Sequence, residues 1–363
     1  MNVINVMWSG GAPYMSVHTV HQQMLRHLGD DVEIANWLLL GNGLCNGAGS
    51  VREWHMPTRA LKGRRLWSLL MPLLRARLRV ALEQERPDAI LIDGLGVARL
   101  ILPLMRHLPE TRVTVLFHGT TRLRGEDVRL LRGLAPGQLC LAAVSQTLAR
   151  SMEQVLGRSV QTLRIALDPS AFALDLLDRG QARRALALPD RPGRVFGAVG
   201  RLVPSKGFEM LVKAFAQARQ SQPDIRLVIM GDGEMKAQLQ SRCDELGLGD
   251  SLLLCGYRSD VSRLYRAFDW LLIPSRSEGL GLVLQEAVMA DVPVLCSDLS
   301  VFREQLGEAG CYIPVGDQAA WTRAIVACNG LDASATAAVQ RRALAPEQAW
   351  LAFRHSSKAL LQG

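Results

Sequence analysis

Short runs of aliphatic and β-branched residues alternate with longer amphipathic stretches along almost the whole chain, and the alternation restarts near its middle. In the first half the runs are VINVM, DAILID, RVTVLFH and QLCLAAVS, with helix-period stretches at 125–133 and 145–156. From residue 194 the runs RVFGAVG, IRLVIMG, SLLLCG, DWLLIP and VPVLC each lead into a helical pattern. Strands separated by helices return by right-handed crossovers and lie parallel, with helices on both faces of the sheet. The pattern predicts an α/β chain of two doubly wound domains, 1–188 and 189–345. The polar, Pro-bearing stretch LPDRPG at 188–193 marks the boundary. Residues 346–363 read as a closing helix expected to pack back toward the first domain. The Gly- and Asn-rich stretch Gly41–Ser50 reads as a loop.

At 363 residues and 48% hydrophobic content, the chain can bury two cores of that size. Aromatics at 5% argue against a lectin-like module built on stacking rings. No run of 18 uncharged apolar residues occurs, and MNVINVMWSGG has no basic region ahead of an apolar one, so neither a membrane span nor a secretory signal is expected. The seven cysteines are scattered, odd in number and never spaced as CxxC, which excludes a zinc ribbon and a disulfide scaffold and fits a reducing cytoplasm. Charge is unevenly shared. Residues 1–190 hold 23 Lys and Arg against 16 Asp and Glu, or +7, and residues 191–363 hold 19 against 18, or +1. The first domain is therefore expected to face something acidic.

Ligands in open parallel sheets bind at the carboxyl ends of the strands, so the loops there are the places to look for chemistry. After DWLLIP, a polar turn leads into EGLGLVLQE at 278–286. Gly279 and Gly281, on either side of Leu280, leave backbone amides open at a helix start, which suits an anion. LGLVLQEAVMA reads as a helix with Glu286 about two turns into it. Eight residues of helix rise roughly 12 Å, so Glu278 and Glu286 could touch opposite ends of an elongated ligand. After RVFGAVG, the loop GRLVPSKG places Arg201 and Lys206 five apart behind Gly200. A diphosphate calls for such a pair, a forked guanidinium and a point charge.

With these motifs the chain resembles the retaining GT-B glycosyltransferases of family 4. The resemblance is densest over 195–317, through VGRLVPSKG, VIMGDGE, the run from LLLCGYRSD to VPVLCSD, and GCYIPVGD. It is thinner in SGGA at 9–12, FHGT at 117–120 and AVSQTLARSM at 143–152. It implies two Rossmann-like domains facing across a cleft, and transfer of a hexose from a nucleotide-diphospho-sugar to a saccharide or lipid-linked acceptor. By resemblance Arg201 and Lys206 hold the donor diphosphate and Glu286 the ribose hydroxyls. Glu278 and the amides of Gly279, Leu280 and Gly281 meet the sugar and phosphate. His118 sits beside the transferring sugar, and Gly10 and Gly11 let the first loop approach the phosphates. The family's Asn-Gly-Val-Asp turn is Ile165-Ala-Leu-Asp168 here, keeping the Asp and departing from the pattern at the Asn and Gly.

Other readings fit less well. GDGEMK at 231–236 lacks the third glycine of a dinucleotide loop, and no GxxxxGK[ST] is present. His18, His21, His27, His55, His107 and His355 show no metal-ligand spacing and read as surface or satisfied core residues. No Asp-x-Asp pair is present to hold a metal, so neither metal nor other cofactor is expected, and Arg201 and Lys206 supply the charge. The stretch 59–86 has eight cations interleaved with leucines, as in a helix that lies on an anionic membrane surface or, equally, one that packs its leucines in the core. Nucleic acid is a poor partner, since there is no recognition fold. A nucleotide-sugar epimerase of the same architecture and a non-catalytic partner remain as alternatives. The nucleotide base, the sugar, the acceptor and the oligomeric state are not legible.

Overall fold

A computed structural model describes residues 1–9, 15–29, 31–41, 47–58, 70–119, 121–135, 137–189 and 193–362, the side chains of residues 15 and 16 excepted, and all structural statements concern these. They form two compact units, Met1–Ile165 with Leu351–Gly363, and Ala166–Trp350.

In the first unit the order is β1 (Asn2–Met7), α1 (Met15–Leu25), β2 (Glu33–Leu38), β3 (Ser50–Glu53), α2 (Met71–Glu85), β4 (Ala89–Asp93), α3 (Gly94–Ile101), β5 (Arg112–Phe117), α4 (Gly125–Arg132), β6 (Leu139–Ala143), α5 (Gln146–Leu156) and β7 (Gln161–Thr162). The strands form one sheet in the order β3-β2-β1-β4-β5-β6-β7, and every pairing is parallel. Sheets covered on both faces have continuously apolar central strands. Val3, Ile4, Val6 and Met7 of β1 and Ile90, Leu91 and Ile92 of β4 are fully buried.

The second unit runs α6 (Pro169–Asp175), α7 (Arg179–Ala185), β8 (Val195–Val199), α8 (Phe208–Ser221), β9 (Arg226–Met230), α9 (Lys236–Glu245), β10 (Leu252–Gly256), β11 (Trp270–Ile273), α10 (Leu282–Met289), β12 (Val294–Ser297), α11 (Ser300–Leu306), β13 (Cys311–Ile313), α12 (Gln318–Ala327) and α13 (Ala333–Leu344). Its six strands are also parallel, in the order β10-β9-β8-β11-β12-β13. Phe196, Phe215, Trp270 and Trp321 fill its core. The last helix, α14 (Pro346–Gln362), starts in this unit, and its residues from Leu351 belong to the first. There Arg112 Nη2 donates to the Gln362 carbonyl at 2.7 Å and Gln362 Nε2 to the Leu28 carbonyl at 3.0 Å.

Two expectations need correction. The units divide at residues 165/166 rather than 188/189. The reason is bonding: Arg183 Nη2 lies 3.1 Å from Asp269 Oδ2, and the Leu177 amide donates to the Arg263 carbonyl at 3.0 Å, so α6 and α7 are tied to the second sheet. Asp168 caps α6, its side chain accepting from the amides of Ser170 and Ala171. The stretch read as a loop to Ser50 instead ends in strand β3, which pairs with β2 from Ser50 onward; residues 42–46 of it lie outside the described residues.

Candidate functional site

A strand order that runs outward in both directions from two neighbouring strands leaves a crevice where their following loops diverge. In the second unit those neighbours are β8 and β11. The loop after β8 holds Gly200 to Gly207 and the loop after β11 holds Pro274 to Gly281, so the two strongest sequence motifs flank one switch point. Their approach is close. The Arg276 amide donates to the Ser205 carbonyl at 2.8 Å. Gly207 has φ +72°, and a Cβ there would stand 2.1 Å from the Pro274 carbonyl oxygen. Only glycine satisfies both the backbone angle and the space.

That approach brings Lys206 Nζ within 2.6 Å of Glu278 Oε1, with the two side chains 19% and 11% exposed. Buried Ser275 donates its Oγ to the same oxygen at 2.7 Å. The sequence assigned Lys206 and Glu278 to different parts of a ligand; the structure pairs them. Arg201 is exposed and has no ion-pair partner among the described residues. It is the cation of this loop left open to an anion.

Glu278 does not start the helix. Gly281, at φ +83°, is the N-cap of α10, and a Cβ on it would meet the Phe302 ring at 2.5 Å. A left-handed residue cannot sit inside a right-handed helix, so the helix expected from Leu280 begins only at Leu282. Glu278 stands in the loop before it. Gln305 Nε2 holds the Leu280 carbonyl at 2.7 Å and is itself held by Gln285 at 3.1 Å, which fixes the turn. Gly281 has no side chain to cap α10, and a helix start of this kind suits an anion.

Glu286 lies one turn into α10 and accepts a short hydrogen bond from the hydroxyl of buried Tyr265. Burial holds the Glu286 carboxyl above the usual range, partly opposed by that bond. Burial and then the neighbouring Glu286 charge push the Tyr265 phenol well up. Nothing in the sequence pattern marks Tyr265 or Ser275 as partners of these carboxylates.

In the first unit the switch point lies between β1 and β4. Gly10 and Gly11, in the loop after β1, lie outside the described residues. Asp93 ends β4, and His118 directly follows β5. His118 Nε2 is 3.0 Å from His21 Nε2 and 4.0 Å from Asp93 Oδ1. Burial depresses His118 to about 4 and raises Asp93 to about 6, and burial also holds His21 well down. His21 was read as a surface or satisfied core residue; it is fully buried and bonded to the candidate site residue His118. Among the described residues, His21, Asp93 and His118 are the group whose donor atoms come within metal-binding reach of one another, all within 4.8 Å. The two imidazoles, however, have ring centroids 5.1 Å apart and planes 30° apart. With nitrogens at 3.0 Å, the rings therefore meet end to end, as a hydrogen bond requires. A shared metal would sit off that line.

Residues 178–328 match the family model for glycosyl transferases group 1. Over these residues the chain is similar to glycosyl transferases group 1. It is 26% identical over 249 residues to the lipopolysaccharide core biosynthesis mannosyltransferase LpsB of Rhizobium meliloti (strain 1021), covering 58% of this chain and 71% of that protein. It is 32% identical over 194 residues to the D-inositol 3-phosphate glycosyltransferase of Mycobacterium marinum, covering 51% of this chain and 40% of that one. Only 36% and 22% of two further relatives, the 2-deoxystreptamine glucosyltransferase of Streptomyces kanamyceticus and an exopolysaccharide phosphotransferase of Streptomyces coelicolor, are spanned. Among solved structures, Anabaena HepE in complex with UDP matches with a TM-score of 0.77 at 19% identity, over 99% of this chain and 98% of that one. Sucrose-phosphate synthase of Thermosynechococcus elongatus matches with 0.77 at 16% identity, over 99% and 98%. The fold is that of GT-B glycosyltransferases.

The described part of 59–86 is residues 70–86. In α2, Leu78, Ala81 and Leu82 are buried in the first unit, whereas Leu70 and Leu73 are 39% and 67% exposed. Arg75 donates to the Arg99 carbonyl at 3.0 Å, and the Arg77 guanidinium lies 5.4 Å from the Trp54 ring centroid. The helix thus packs one leucine face in the core and leaves its first turn outside. Among the described residues no helix is long and apolar enough to cross a membrane.

Proposed function

We propose that the chain is a retaining, metal-independent glycosyltransferase. Its donor is a nucleotide-diphospho-hexose, and its acceptor is a saccharide or lipid-linked glycan of a bacterial surface polymer such as lipopolysaccharide core. The observation that carries this reading is the pair of loops at the β8/β11 switch point, where Arg201, Lys206 and the uncapped α10 amides offer positive charge beside two carboxylates. The donor reading also draws on HepE, described with UDP and with UDP-glucose. The polymer reading draws on LpsB.

In this reading the donor diphosphate lies on Arg201, Lys206 and the α10 amides, and the ribose hydroxyls meet Glu286. As the bond between the sugar's anomeric carbon and the phosphate oxygen breaks, negative charge gathers on the leaving diphosphate. Donors already in place stabilise it without reorganising. The acceptor oxygen bonds the same carbon on the same face, and its proton passes to the leaving phosphate oxygen. No side-chain nucleophile takes part. Metal independence rests on two protein cations supplying the charge that a metal supplies elsewhere. His118, Gly10 and Gly11 are assigned to the sugar and phosphates by resemblance.

The enzyme is proposed to work in the cytoplasm and to touch an anionic membrane face through residues 59–86, with Leu70 and Leu73 exposed for that contact. Purified protein incubated with nucleotide sugars and truncated surface glycans tests the function. Nucleoside diphosphate released with one glycosylated product supports it. Conversion of donor with no acceptor present would show the epimerase instead, and no turnover of any donor would leave the non-catalytic partner.

A further inference from the structure

The first unit contains a buried polar chain that the proposed function does not use. Asn5 of β1 and Asn36 of β2 are directly opposite in register and fully buried, and Gln22 and His21 of α1 lie over them. Such groups are stable in a core only when their donors and acceptors match, and here the backbone decides how they match. Gln22 Oε1 accepts from the Ala48 amide at 2.9 Å, so its Nε2 is the end that donates to Asn36 Oδ1 at 2.9 Å. Asn36 Nδ2 faces two carbonyls, Ala48 at 2.8 Å and Ser50 at 3.3 Å, so Asn36 cannot be turned over. Its Oδ1 therefore accepts from Asn5 Nδ2 at 2.9 Å as well. That leaves Asn5 Oδ1 as an acceptor facing His21 Nδ1 at 2.7 Å, so His21 carries its proton on Nδ1 and is bare at Nε2. The bare nitrogen faces His118 Nε2 at 3.0 Å, which must then be the protonated one.

We propose that His21 is a positioning residue, the last link of a chain running from the backbone of Ala48 and Ser50 through Asn36 and Asn5, which fixes His118 protonated on Nε2 and bare on Nδ1. Asp93 does not do this: its Oδ1 is 4.0 Å from His118 Nε2, beyond hydrogen-bond reach. The hydrogen bond that orients His118 thus comes from a second imidazole, while the Asp93 carboxylate stands nearby at 4.0 Å without bonding the ring. The bare Nδ1 accepts a hydrogen bond and cannot donate one. A phosphate oxygen gives it nothing to accept; a sugar hydroxyl does. Within the proposed function, a hydroxyl of the transferred sugar is a group that suits it. This last step rests on the proposed function, and the tautomer does not.

Nitrogen-15 spectra of ligand-free protein labelled at histidine read the tautomer directly, with His118→Asn identifying the signals. The expected result is a pyrrole-type Nε2 and a pyridine-type Nδ1 on His118, unchanged after dialysis against a chelator. Protonation on Nδ1, or a spectrum that depends on bound metal, overturns the proposal whether or not the chain transfers sugar. In His21→Phe, which keeps the ring and removes both nitrogens, His118 should populate both tautomers and the KM for donor should rise roughly tenfold, the scale of one lost hydrogen bond. His21→Gln can accept from His118 and donate to Asn5, and should restore the single tautomer and most of the KM. A single unchanged tautomer in folded His21→Phe overturns the proposal. Should that variant fail to fold, the wild-type and His21→Gln spectra decide alone.

Discussion

Lys206→Ala removes the cation that stands 2.6 Å from Glu278 Oε1 in a pair whose side chains are 19% and 11% exposed. Breaking a buried pair from one side costs about 3–5 kcal/mol, because the remaining charge stays desolvated. Glu278 retains the Ser275 hydroxyl at 2.7 Å and some access to water, which lowers the expected loss to about 2–3 kcal/mol. Glu278→Gln should cost less, about 1 kcal/mol, since the longer Lys206 side chain can turn its ammonium toward solvent. In the double variant no stranded carboxylate remains, so the two losses should not add; the coupling should be about 2 kcal/mol. Urea unfolding of the four proteins measures this. Turnover behaves differently: Lys206→Ala should lose roughly 10²–10³ in rate, the scale of removing a preorganised charge-stabilising group, and the double variant should not regain it. Strictly additive stabilities, or Lys206→Ala within about 0.5 kcal/mol of wild type, would refute the pairing. Recovery of activity in the double variant would refute the role of Lys206 at the diphosphate.

Further outcomes follow from the same geometry. Glu286→Ala should weaken the free nucleoside diphosphate and Glu278→Ala mainly the intact sugar donor; isothermal titration with both ligands checks this, and equal losses for each ligand in both variants contradict it. EDTA should leave the rate of sugar transfer nearly unchanged, and an absolute need for added Mg²⁺ or Mn²⁺ argues against the charge assignment. Between about pH 6.5 and 4 the unfolded chain binds protons at His21 and His118 that the folded chain refuses, so stability should fall with acid, while Asp93, raised from 3.8 to about 6, binds its proton first in the folded state and offsets part of that loss. Asp93→Asn should therefore steepen the acid loss by about 3 kcal/mol, from a shift of about two units at ~1.36 kcal/mol each, and an unchanged slope in urea unfolding between pH 7 and 4 would count against it. Leu70→Asp with Leu73→Asp should lower co-sedimentation with anionic vesicles, and wild type that never pellets removes the membrane contact.

The sheets were legible because most of their central strands are buried on both faces and read as largely apolar runs, Asn5 in β1 and Thr114 in β5 being tolerated breaks. The strands missed lie toward the sheet edges or break that pattern. Ser50–Glu53 is a four-residue strand, mostly exposed; Gln161–Thr162 is two exposed polar residues; and Glu33–Leu38 interrupts its apolar run with buried Asn36. Arg201, Lys206, Glu278 and Glu286 stand out as candidates because glycines and charges cluster at strand ends. Their pairing does not, since it depends on β8 and β11 being neighbours although β9 and β10 intervene in sequence. His21 was invisible for the same reason. Asn5, His21, Asn36 and His118 come from four elements, and a lone helix histidine gives no sign of what the sheet order puts beneath it.

In the proposed function the loops after β8 and β11 bind a nucleoside diphosphate. Thermal unfolding of wild type and of the Arg201→Ala, Lys206→Ala double variant, each with nucleoside monophosphates and diphosphates, tests it most directly. A ligand at 100 times its dissociation constant adds about 2.7 kcal/mol. At least one diphosphate should stabilise wild type to that extent, its monophosphate should do much less, and the double variant should show no shift. Equal shifts in both proteins, or none for any diphosphate in wild type, would contradict it.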